Sequence, residues 1–154
     1  MKSILALLIL TAISGLLVFK EWKGISPLHS KREDVERILG AAAKGPNDPF
    51  ICTYEATSES VTVSYSRGGC KKEGLEEWNV PEGTVLRLIV IPKYSLTVTE
   101  LGFDLSTFIK QNTRLQNIVT YDNIEDGVII EVTNEQVSAI LYTPSKKDEK
   151  LKCK

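Results

Sequence analysis

From residue 51 onward, apolar and polar residues alternate with a period of two. Val61, Val63 and Tyr65 fall on one side of such a run, and Thr62, Ser64 and Ser66 on the other. That alternation is what a half-buried strand requires. Residues 51–56 and 61–66 are predicted to form a hairpin, with 57–60 as its turn. Residues 84–91 are apolar on both alternating sides except at Arg87, which predicts a central strand covered on both faces. Pro92 ends it. Three more strands are expected at about 116–122, 127–133 and 136–142. Asp126-Gly127 and Thr133-Asn134-Glu135 supply the hairpin turns between them.

The helical period is rarer. Val35, Ile38 and Leu39 stand at i, i+3 and i+4, one apolar stripe. Ser30 and Glu33 have capping-box spacing, and Gly40 supplies a left-handed stop. The predicted helix, 31–39, is too short to persist alone and must lie on a sheet. In 96–112, Leu101, Leu105, Phe108 and Ile109 recur at helical spacing behind Asp104, which suggests a short helix. The expected fold is α+β: a mainly antiparallel sheet of about six strands, with one N-terminal helix and one short middle helix. The βαβ crossovers of a parallel sheet are missing.

The first residues follow neither period. Lys2 precedes an uncharged run, 4–19, which reads as a signal peptide. Ala12-Ile13-Ser14 permits cleavage after Ser14. The run is shorter than the ~20 residues of a comfortable membrane span, yet retention as an anchor is the alternative, and a buried core helix a third. No Cys follows the run, so an acylated N-terminus is not expected. Residues 20–154 are read as a single domain. The expected address is periplasmic or extracellular, or the membrane through 4–19.

Export changes the reading of the three cysteines, Cys52, Cys70 and Cys153. An oxidising compartment favours one disulfide and one remaining thiol. The expected hairpin and the flexible Gly68-Gly69 bend bring Cys70 back towards Cys52, so Cys52–Cys70 is the first choice and Cys70–Cys153 the next. The net charge is −1, with mixed signs. That argues against a nucleic-acid partner, which wants a basic face, and gives no reason to expect binding to anionic lipid.

Candidate chemistry is sparse. His29, the single histidine, could pair with Cys70 as base and nucleophile, but only if Cys70 stays reduced. Asp122-Asn123-Ile124-Glu125-Asp126-Gly127 has the outline of a calcium loop, but Ile124 and Thr133 stand where oxygen ligands belong. Zinc spacing is missing. Glu76, Glu77 and Asp104 are carboxylates with no evident partner across a cleft. Trp22 and Trp78 sit in irregular segments, where an aromatic either closes the core or anchors a partner. The C-terminal lysines read as a solvated tail. No catalytic residue, metal or cofactor is assigned.

The segment Trp22-Lys23-Gly24-Ile25-Ser26-Pro27-Leu28-His29, continuing to Gly40, resembles the opening of an uncharacterised family of exported bacterial proteins. Tyr65-Ser66, Trp78-Asn79-Val80-Pro81 and Leu151-Lys152-Cys153 are similar to it as well. The Val35-x-x-Ile38-Leu39-Gly40 pattern is similar to the helix opening of small outer-membrane assembly lipoproteins of the BamE type, over about a dozen residues. The resemblance implies an exported envelope protein and carries no activity. The resulting expectation is a non-enzymatic binding or structural accessory with an unidentified protein partner. Membrane contact is expected only through an uncleaved N-terminal segment. A small extracytoplasmic enzyme with an unassigned site, or an inhibitor module, is the alternative.

Overall fold

The computed structural model describes residues 20–43, 48–70, 78–113 and 117–154. The reading of 1–19 as signal peptide or anchor lies outside them, as do Glu76 and Glu77. Among the described residues no helix is long and apolar enough to cross a membrane.

Seven strands form one antiparallel sheet: β1 (Ile51–Glu55), β2 (Glu59–Tyr65), β3 (Val85–Pro92), β4 (Ile109–Asn112), β5 (Ile118–Asn123), β6 (Val128–Thr133) and β7 (Gln136–Tyr142). Their order is β1-β2-β3-β7-β6-β5-β4. The expectation of an α+β domain with about six strands is therefore corrected to a mostly-sheet molecule of seven. The expected middle helix is replaced by two 3-10 turns, Val98–Leu101 and Leu105–Thr107, leading into the extra strand β4. Helical spacing in that segment reflects apolar residues of an irregular strap packing on the sheet, with Gly102 in the left-handed region breaking any longer helix.

The alternation sets the register. Cys52 pairs with Val63 and Tyr54 with Val61; Val63 pairs with Leu88 and Val61 with Val90. These side chains share the core face with Ile140, Tyr142, Val128 and Ile130. Helix α1 (Arg32–Leu39), the segment before it and the strap cover that face through Ile25, Val35, Leu101 and Phe103. The N-terminal segment is tied directly to the start of β3: Leu28 N donates to Val85 O at 2.7 Å, and Val85 N to Ser30 O at 2.9 Å.

Three local readings are revised. Strand β3 is internal, but only one of its faces is covered, and Ile91 stays 45% exposed. Its uniform apolarity arises because Ile89 meets Leu141 on the open face. Helix α1 buries Val35 fully and Leu39 partly, whereas Ile38 is exposed. The cap also shifts by one residue. Lys31 N donates to Asp34 Oδ2 at 2.9 Å, while Ser30 Oγ accepts from Ser26 N at 3.0 Å. Ser30 thus closes the turn that precedes the helix.

The disulfide joins Cys70 to Cys153, with Cα atoms 5.6 Å apart, and Cys52 is a buried free thiol. The Cys52–Cys70 pairing is corrected accordingly. Cys52 lies on the core face of β1, opposite Val63. The Gly68-Gly69 bend carries Cys70 the other way, towards Val80, whose carbonyl accepts from Gly69 N at 2.9 Å. Asn79 N donates to Leu151 O at 2.7 Å alongside it, so the stapled element is the C-terminal tail.

Candidate functional site

The residues singled out in the sequence disperse into structural roles. His29 Nε2 lies 2.9 Å from Asp148 Oδ1, and Ser145 Oγ donates to Asp148 Oδ2 at 2.8 Å. Both histidine and serine converge on the carboxylate. A nucleophilic relay needs the hydroxyl on the imidazole instead, so this cluster ties the turn before α1 to the 3-10 helix Lys146–Leu151. Cys70 is oxidised and not available to His29 as a thiolate. Trp78 bridges to Lys152, whose ammonium lies 5.5 Å from its ring centroid; Trp78 is part of the tail staple. The Asp122–Gly127 stretch makes the β5–β6 hairpin turn. There Asn123 Oδ1 accepts from Asp126 N, and Asn123 Nδ2 donates to Asp126 Oδ2, both at 3.1 Å. Gly127 has a geometric duty, since a Cβ there would lie 2.2 Å from Thr143 O. Asp104 is occupied as the cap of Leu105–Thr107. Among the described residues no group of three or more His, Cys, Asp or Glu could hold a metal.

A buried polar cluster sits under β1 and β2. The Tyr54 and Tyr65 hydroxyls are 2.7 Å apart, and Arg32 stacks 4.3 Å from the Tyr65 ring while donating to Cys52 Sγ at 3.3 Å. Burial raises both phenols above their ordinary range, Tyr65 the more strongly. The cluster is packed and satisfied, which suits specifying the core rather than receiving a ligand.

Two concavities among the described residues are large enough to matter. The smaller, about 270 Å³, is walled by Trp22, Tyr94, Leu101, Phe103 and Tyr142. The Lys23 ammonium lies 4.8 Å from the Trp22 ring and pairs with Glu59, whose carboxylate also accepts from Ser58. Burial raises the Glu59 pKa, but these partners outweigh it and hold the carboxyl below its usual range. The charged groups here are already paired with one another.

The larger is a groove of about 590 Å³ between the Val98–Leu101 turn and the core face of β4, β5 and β6. Its size is that of a small-molecule site. Val98, Val119 and Val132 give it an apolar floor, and Tyr121 a broad aromatic wall. The pleat explains the lining: Lys110 pairs with Tyr121, and Val119 with Val132, all on one face. No known protein family, curated protein or solved structure matches this chain. The groove is distinguished by its own chemistry. Lys110 and Glu135 line it, and neither forms an ion pair with another described residue. The Lys110 ammonium leans 5.7 Å from the Tyr121 ring centroid. Asn117, Asn134 and Glu135 all adopt positive φ. The Asn134 backbone is held there by its N–H, which donates to Asn117 O at 3.0 Å.

Sequence reading does not find Lys110, Asn117, Tyr121, Asn134 and Glu135 as a group, because they come from three separate segments. One signal was present. Asn134-Glu135 is a two-residue hairpin turn in which glycine is the residue expected at the second position.

Proposed function

We propose that this protein is an exported, non-enzymatic binding module of the bacterial envelope, and that the groove between the Val98–Leu101 turn and strands β4–β6 receives its ligand. One observation carries the reading. An apolar groove is bordered by Lys110 and Glu135, and neither is ion-paired with another described residue. A cation and a carboxylate at the rim of one apolar cavity, beside a left-handed glutamate turn, offer a ligand both polar and apolar contact.

The address is supported by the apolar run 4–19 behind Lys2 and by the Cys70–Cys153 bond, since disulfides persist in oxidising compartments. On this reading the mature protein is periplasmic or extracellular, or is held at the membrane by residues 4–19.

A photo-crosslinking residue placed at Thr99 tests both halves in living bacteria. Thr99 is exposed and lines the groove. Irradiation should yield a discrete adduct in the extracytoplasmic fraction. The same probe at Thr53, on the open face of β1, should not yield it. Equal adducts from both positions, or a full-length cytosolic protein, would contradict the proposal.

A further inference from the structure

The groove's ligand can be specified further from the placement of its charges. Lys110 stands beside Tyr121, at one end of the lined stretch of β5. Glu135 stands in the β6–β7 turn at the other end, where Asn134 is bonded to Asn117. Tyr121 and Asn117 are four residues apart along the chain, about 13 Å at ~3.3 Å per strand residue. A cation and a carboxylate therefore mark opposite ends of an elongated apolar groove.

At the Glu135 end Asn117 and Asn134 also line the cavity, and neither side-chain amide has a hydrogen-bond partner among the described residues. Each amide offers donors and an acceptor, the pattern that reads peptide N–H and C=O groups. The Val98, Val119 and Val132 surface leaves room for small apolar side chains and gives no partner for a dense array of hydroxyls.

Resting on the reading of the groove as a binding site, we infer that its ligand is a short extended peptide with free termini. The α-carboxylate lies at Lys110 and the α-ammonium at Glu135. An extended chain covers ~3.3–3.6 Å per residue, so about three to four residues fill the span. Each terminal pair is a charge-assisted contact at the rim of the groove.

Calorimetric titration of the full chain with tetra-alanine tests this in four forms: free, N-acetylated, C-amidated and blocked at both ends. The free peptide should bind. Each single block should weaken binding roughly ten- to a hundredfold, the loss expected for one charged hydrogen bond. Lys110→Met should abolish the sensitivity to amidation while keeping that to acetylation. Glu135→Gln should do the reverse. Both positions are exposed, and circular dichroism checks that each variant is folded. Equal affinity for all four peptides, or no binding of the free form, overturns the inference. If the Thr99 crosslink still captures a groove ligand in that case, the ligand class is wrong and the binding reading stands. If neither is seen, both fall.

Discussion

Glu135 occupies a backbone conformation, φ +66°, that glycine adopts freely and a glutamate does not. Its neighbour Asn134 sits at φ +50°, so the pair makes a two-residue turn of the type that twists with the strands. A left-handed non-glycine residue costs about 1–3 kcal/mol, partly offset by the entropy that glycine loses on folding. Glu135→Gly is therefore expected to stabilise the protein by about 0.5–1 kcal/mol, read as a raised urea midpoint, and to weaken ligand binding. A destabilised variant would show that the turn is not strained. The buried phenols make a second prediction at this scale. Burial raises Tyr54 and Tyr65, and pushes Tyr142 up to about 12. Unfolded tyrosines ionise near 10. Below that pH both states hold the protons and the stabilisation is complete. Above it the unfolded chain loses protons that the folded chain keeps, so stability falls as pH rises from ~10 towards 12. Denaturant midpoints should drop across that window, and Tyr142→Phe should make the drop shallower. Much at the residue scale was legible in the sequence: Tyr54, Val61, Val63 and Leu88 all lie on the core face, as alternation requires. Ile38 and Ile91 were not, because apolarity alone does not say which sheet face stays open.

At the scale of elements, the C-terminal tail is the instructive case. Its lysines read as a solvated run, yet Cys153, Asp148 and Lys152 each hold it to the body. Sequence reasoning ranked the Cys70–Cys153 staple second and missed the His29 and Trp78 contacts, because these partners lie far along the chain and local spacing carries no information about such closure. The same reason made the Cys52–Cys70 pairing attractive and wrong. The disulfide closes a separation of 83 residues, for which chain entropy predicts about 4–4.5 kcal/mol. Cys70→Ser and Cys153→Ser should therefore lower stability alike, and the double variant should cost little more than either one. Cys52→Ser should add independently to both, since its thiol touches Arg32 and Pro49 rather than another sulfur. Non-additivity between Cys52 and Cys70 would restore the rejected pairing. The edge strand β4 was hidden for a different reason. It is four residues long and exposed throughout, so it has no buried face to impose a period of two. It carries Lys110, in keeping with the short, charged edges that discourage sheet-to-sheet pairing.

At the scale of the molecule, the described residues cover one face of the sheet, and the groove lies between the Val98–Leu101 turn of the strap and strands β4–β6. The hairpins β1–β2, β5–β6 and β6–β7 were readable from alternation and turn residues. The order that places β7 between β3 and β6 was not, since nothing local encodes a long-range strand neighbour. The groove follows from that order: β4, β5 and β6 must lie side by side before Lys110, Tyr121 and Val132 can face one cavity. The central claim is that this cavity binds an extended peptide, and amide-resolved NMR of the full chain with free tetra-alanine tests it most directly. Shifts that saturate together at Val98, Lys110, Asn117, Tyr121, Val132 and Glu135, with Thr53, Ile89 and Cys70 unmoved, are the predicted result. A spectrum unchanged along the groove, or shifts centred on the Trp22 pocket, would contradict it.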